Sequence, residues 1–159
     1  MAWDMLDVSA LRRIDLFDDV DDEVLTKLID ITTTGHYEPG EIIFDEDDPG
    51  EALYFILDGS VRISRELHGA GKEILALLTS GAYFGEMALL EPQATRSARA
   101  SAESDAHVGS LRRSDFMELV ETNPDVVSEI LWSFIATLCA RIRQTNDRVT
   151  FFALSSRFG

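Results

Sequence analysis

A mainly β domain of the α+β class, framed by helices at both ends, is the fold this sequence predicts. Three observations carry the prediction. Hydrophobic residues recur at helical spacing up to about residue 31, then break into short β-like runs separated by Gly-, Pro- and Asp-bearing turns. From residue 113 the helical spacing returns. The 159 residues suffice for one core of ordinary size and are too few for two. The chain therefore reads as one domain, residues 1–159, with a helical segment 1–31, a β region 32–112 and C-terminal helices 113–159. A run of about eight strands with glycine-rich turns favours a β-sandwich or barrel.

The elements follow in order. Residues 4–14 make a short, weakly amphipathic helix. Residues 21–30 place Val24, Leu25, Leu28 and Ile29 on one face, with acidic residues at the start, where the helix dipole favours them. Thr32–Tyr37 is the first strand, ended by Glu38-Pro39-Gly40. Residues 41–44 form the second, followed by an acidic turn closing on Asp48-Pro49-Gly50. Residues 53–57 are a near-continuous apolar strand, closed by Asp58-Gly59. Val61 and Ile63 then alternate with polar residues. His68-Gly69-Ala70-Gly71 turns the chain into a strand over 73–78, and Ser80-Gly81 leads to Tyr83-Phe84. Residues 98–101 and 107–111 complete the set.

In the last third, Ser114 is placed to cap a helix through Val120. Asn123-Pro124 supplies an N-cap and a proline at the first helical position of a helix running to about residue 153. Val127, Leu131, Phe134, Leu138, Ile142, Thr145, Val149 and Phe152 recur there at spacings of three and four, and Trp132 and Ile135 widen the face. So broad an apolar face calls for the β region, a second copy of itself, or both. A parallel homodimer through this helix is expected. The alternative is a lid made by Phe151, Phe152 and Phe158 folding back within one chain.

Composition narrows the function classes. The net charge is −15, and residues 1–60 hold 17 acidic against 3 basic side chains. That half lacks the clustered Lys and Arg of a nucleic-acid surface, so no nucleic-acid partner is expected. It is either a solvated face or a dock for a basic partner. No apolar run reaches the length of a membrane span, and the N-terminus has neither a basic nor an apolar leader. Cys139, the lone cysteine, sits in an apolar helical stretch, where a small core residue is expected. Together these set the expectation of a cytoplasmic protein without membrane contact.

The chemistry concentrates in residues 84–98, Phe-Gly-Glu-Met-Ala-Leu-Leu-Glu-Pro-Gln-Ala-Thr-Arg-Ser-Ala. Gly85 allows close backbone approach to a ligand. Helix formers follow it, so backbone N–H groups of Met87 and Ala88 can point at an anion. Glu86 can accept a hydrogen bond from a sugar hydroxyl. Arg96, ten residues later, carries a permanently charged fork that matches two phosphate oxygens, and Ser97 adds a hydroxyl.

This segment resembles the phosphate-binding cassette of the cyclic nucleotide-binding domain family, Phe-Gly-Glu-x-Ala-Leu…Arg-x-Ala. The Arg-Ser-Ala ending is most similar to the catabolite activator protein branch. Leu16-Phe17, Gly40-Glu41, Tyr54-Phe55-Ile56 and Gly59-Ser60-Val61 resemble further family markers in family order. The resemblance implies an eight-stranded jelly roll with N-terminal helices and C-terminal B and C helices. It implies 3′,5′-cyclic AMP as ligand, cyclic GMP second, with no metal. Glu86 would take the ribose 2′-hydroxyl. Val61, Leu75 and Ala76 match the positions that flank the purine, and Thr145-Asn146 the point where the C helix reaches the base. One departure stands out: the family's Glu-Gly-Asp turn is Glu46-Asp47-Asp48 here, which puts that turn's geometry in question.

His36, His68 and His107 form no His-x-His cluster, and no nucleophile-base pair stands out, so no enzyme is expected. The expected function is a regulator that stands alone, or is a fragment, and signals through C-helix movement to a protein effector. The rival is a ligand-free scaffold that keeps the fold.

Overall fold

Helix gives way to strand at residue 32 in the computed structural model, which describes residues 6–155. Helices α1 (Val8–Arg12) and α2 (Asp22–Asp30) come first. Asp7 caps α1 by accepting from the Ala10 N–H at 2.7 Å. This helix is shorter than the 4–14 expectation, of which residues 4 and 5 lie outside the described part.

Eight strands follow among the described residues: β1 (Thr32–Tyr37), β2 (Ile42–Phe44), β3 (Ala52–Asp58), β4 (Ser60–Leu67), β5 (Gly71–Thr79), β6 (Tyr83–Phe84), β7 (Arg99–Ala102) and β8 (Ala106–Arg112). A single turn, α3 (Met87–Leu90), separates β6 from β7. The strands make two four-stranded sheets, ordered β1-β8-β3-β6 and β2-β7-β4-β5, with every neighbouring pair antiparallel. Helices α4 (Arg113–Thr122) and α5 (Pro124–Ser155) end the described chain.

Two apolar clusters explain this arrangement. Ile56, Val61, Phe84, Ala100, Ala102, Ala106 and Val108 meet between the sheets. Leu53, Phe55, Tyr83 and Leu111 point the other way, onto Leu11, Phe17, Leu25 and Leu28 of the N-terminal segment and onto Phe116, Ile130 and Phe134 of α4 and α5. Strand β3 is covered on both faces, so it reads as a continuous apolar run rather than an alternating one. The β3–β4 turn needs Gly59. Its φ is +85°, and a Cβ there would lie 2.0 Å from the Asp105 carbonyl oxygen.

The helical third differs from expectation in three places. Ser114 does not cap α4: the helix begins at Arg113, and the Ser114 hydroxyl bonds the neighbouring Asp115 carboxylate. The Asn123 side chain donates back to the Leu119 carbonyl and so closes α4 instead of opening α5, although Pro124 does begin α5. Cys139 is exposed, because that face of α5 has no covering element among the described residues. Of the alternative lid, the Phe152 side chain and Phe158 lie outside the described residues, while Phe151 is 69% exposed.

Candidate functional site

Gly85 breaks the chain out of β6 at φ +73°. A side chain there would sit 2.6 Å from Arg96 Nη1, so only glycine lets the arginine in. Glu86 follows, then α3, then a loop that returns Arg96 beside the start of β3. That loop is pinned from both sides of the Asp45–Asp48 turn. The Asp47 N–H donates to the Arg96 carbonyl at 2.9 Å, and the Arg96 N–H to the Asp48 carbonyl at 2.8 Å. Asp47 itself takes φ +68°. The turn that lacks the family glycine therefore keeps a left-handed residue and still holds the loop.

Between this segment, strands β2, β4 and β5, and helix α5 lies a cavity of about 430 Å³. Gly85, Glu86, Met87, Ala88, Arg96 and Ser97 all line it, as does Ala76. The Arg96 side chain is buried, donating from Nη2 to the Ala52 carbonyl at 2.8 Å and from Nη1 to the Gly85 carbonyl at 3.2 Å. Burial holds its pKa below the ordinary arginine value, opposed by Tyr54, Asp48 and Glu51 nearby. Arginine stays protonated under all ordinary conditions, so this is a desolvated cation at the cavity wall. The Ala88 N–H donates to the Gly85 carbonyl at 3.2 Å, so that amide serves the turn.

The structure separates the other named residues. Val61 lies fully buried in the cluster between the sheets, deeper than the cavity wall. Leu75 is displaced by a bulge: Ala76 pairs with Ile63 and Ile74 with Ser64, leaving Leu75 as the extra residue, exposed on the edge strand. Ile63, Ala76 and Leu78 line the cavity in their place. On α5, Thr145 reaches the cavity and Asn146 does not, because the next helical residue lies about 100° further round.

Besides Ile63 and Leu78, sequence reasoning missed other wall residues, Phe44, Tyr83 and Arg141 among them. Arg141 projects from α5 and donates from Nη1 to Glu86 Oε1 at 2.7 Å and from Nη2 to the Tyr83 carbonyl at 3.3 Å, with its guanidinium 4.7 Å over the Tyr83 ring. Phe134, one face-turn earlier, meets the same ring edge-on at 6.3 Å. Spacing did offer a signal: Ile130 and Arg141 lie four residues before and seven residues after Phe134, so a second stripe branches at Phe134 from the one read from the sequence. Only the packing tells the two stripes apart. Among the described residues no group of three or more His, Cys, Asp or Glu is placed to hold a metal ion, and no helix is long and apolar enough to cross a membrane.

Comparison with known proteins agrees with this geometry. Residues 34–123 match the family model of the cyclic nucleotide-binding domain. The cyclic AMP receptor protein of Thermus thermophilus is 37% identical over 110 residues, which cover 69% of this chain and 49% of that protein. The cAMP-dependent protein kinase regulatory subunit of Debaryomyces hansenii is 32% identical over 117 residues, covering 74% of this chain and 25% of the relative. The crystal structure of the Thermus thermophilus catabolite activator protein superposes with a TM-score of 0.74 at 31% identity, covering 87% of this chain and 63% of the other. The chain thus spans about half the length of the Thermus receptor protein and a quarter of the Debaryomyces regulatory subunit. A further neighbour is the N-terminal domain of a transcriptional regulator from Streptomyces coelicolor, with a TM-score of 0.73 at 27% identity, covering 88% of this chain and 94% of the other. Such relatives remove support from the expectation, drawn from charge alone, that nucleic acid has no part.

Proposed function

Since this chain belongs to the cyclic nucleotide-binding domain family, we propose that its cavity binds a 3′,5′-cyclic nucleotide, cyclic AMP before cyclic GMP, and that occupancy is transmitted through α5 to an effector. The observation that carries this reading is the convergence of Glu86 and Arg96 on one cavity from opposite ends of a short segment. Arg96 supplies a desolvated cation for the cyclic phosphate, with the exposed Ser97 hydroxyl beside it. Glu86 accepts from the ribose hydroxyl. Ile63, Ala76 and Leu78 offer an apolar wall for the purine. The two strand orders support a jelly-roll reading of the β region.

Glu86 also explains how binding reaches the helix. Its carboxylate, in a side chain only 14% exposed, is paired with Arg141 of α5. A ribose hydroxyl that bonds Glu86 shares that oxygen set with Arg141, so helix position and ligand occupancy draw on the same group. A helix arrangement that gains contacts only with ligand present is favoured by ligand to the extent of that difference. This is a regulatory role without catalysis by the domain itself.

Calorimetric titration tests the proposal. Cyclic AMP binds at micromolar concentration or tighter, and linear AMP binds far more weakly. Neither heat nor a thermal shift with cyclic AMP or cyclic GMP would mean that the fold persists as a ligand-free scaffold.

A further inference from the structure

Arg96 is 6% exposed, yet no carboxylate pairs with it among the described residues; its Nη1 and Nη2 groups donate to backbone carbonyls, and Tyr54 adds a side-chain contact. A buried cation without a directly paired counter-charge is costly unless something else compensates it. What faces it is aromatic. The guanidinium carbon lies 4.1 Å from the centre of the Phe44 ring and 5.5 Å from that of Tyr54. Those two rings are 5.6 Å apart, and Phe84 closes the group at 5.9 Å from Phe44 and 5.5 Å from Tyr54, stacked on the latter at 12°. The three rings come from β2, β3 and β6, hence from both sheets, and form a fixed platform. The Arg96 Nε–H has no hydrogen-bond partner among the described residues.

A carboxylate in the place of Phe44 would neutralise the guanidinium and compete with an incoming anion. The negative face of a ring compensates the cation without doing either. We propose that Phe44 is a positioning residue, which holds Arg96 desolvated and in direct contact with no carboxylate, so that its charge is left for a small phosphodiester anion. The inference rests on the cavity reading above and adds to it a residue that touches the arginine through its π face.

The test is a double-mutant cycle read by calorimetric titration with cyclic AMP. Phe44 is half-buried, and Phe44→Leu and Phe44→Met both keep apolar volume, with circular dichroism to check the fold. Each aliphatic variant lowers affinity about tenfold, the scale of a desolvated cation–π contact. Phe44→Tyr restores the π face and recovers the affinity. In an Arg96→Ala background, itself at least about tenfold weaker because a charge-assisted contact is gone, Phe44→Leu brings no further loss. Aliphatic variants that bind as tightly as the unaltered protein, or that lose as much affinity without Arg96 as with it, overturn the proposal. No binding by the unaltered protein, or unchanged affinity in Arg96→Ala, overturns the cavity reading instead.

Discussion

Asp47 holds a conformation that disfavours it. At φ +68° an L side chain crowds its own backbone, a cost that Asp tolerates better than most residues but does not escape. The turn nevertheless keeps its shape, because the bonds between Asp47, Asp48 and the Arg96 backbone require it. Glycine meets the same requirement without the clash and removes one charge from the Asp45–Asp48 run, opposed by the greater conformational entropy it gives the unfolded chain. Asp47→Gly should therefore stabilise the fold by about 0.5–1 kcal/mol, since relief of the left-handed cost outweighs the entropy. Thermal melting should show the midpoint raised by about 1–4 °C. A lowered midpoint would mean that the Asp47 side chain contributes something the turn geometry does not reveal. Gly85 is the opposite case, since a side chain there strikes Arg96, and its replacement should cost both fold and binding.

Among the elements, α5 decides most. The apolar stripe read from its spacing is two stripes. Val126, Ile130 and Phe134 are buried against the rest of the chain, 1–3% exposed, and Arg141 continues that side to the cavity. Ile135, Ile142 and Val149 are 47%, 59% and 62% exposed, with Leu131 at 39% beside them. Leu131, Ile135, Leu138, Ile142, Thr145 and Val149 follow one another at alternating steps of four and three, the period of a helix that pairs with another. Pairing of two copies along this face, as proposed from the sequence, is thus open to a clean test. Ile135→Glu combined with Ile142→Glu should give a folded monomer in sedimentation where the unaltered chain gives a dimer. A strict monomer of the unaltered chain at high concentration excludes the pairing. Phe134→Glu is unsuitable for this purpose, because Phe134 is 2% exposed against Tyr83 and the change buries a carboxylate in the core.

For the whole molecule, charge is the dominant asymmetry. Residues 1–60 carry most of the net −15, and the exposed acids of α2 and the segment before it lie close together. The ion pairs that oppose this repulsion, such as Arg12–Asp22 and Lys27–Glu23, are largely exposed, and pairs of that kind contribute about 0–1 kcal/mol each. Repulsion among the excess acids outweighs them, so screening should stabilise the protein. Raising sodium chloride from about 0.01 M to about 0.2 M, which shortens the screening length from about 30 Å to under about 10 Å, should raise the melting midpoint. A falling midpoint would show that the surface ion pairs dominate.

By itself the sequence determined the alternation of helix and strand, the turns that need glycine, and the short segment holding Gly85, Glu86, Arg96 and Ser97. Each of these rests on neighbours in the chain: periodicity, dipeptide turns and a motif whose members lie within a dozen residues. Tertiary structure decided what depends on distant pairing. A bulge between β4 and β5 turned Leu75 out and Ala76 in, and no propensity announces where a bulge falls. The docking of α5 chose Thr145 over Asn146, hid Phe134, exposed Cys139 and brought Arg141 to Glu86 from 55 positions away. The ring platform under Arg96 joins three strands from two sheets. Local spacing names the groups that can bind an anion, whereas burial and charge compensation come from residues that meet only when the chain has folded.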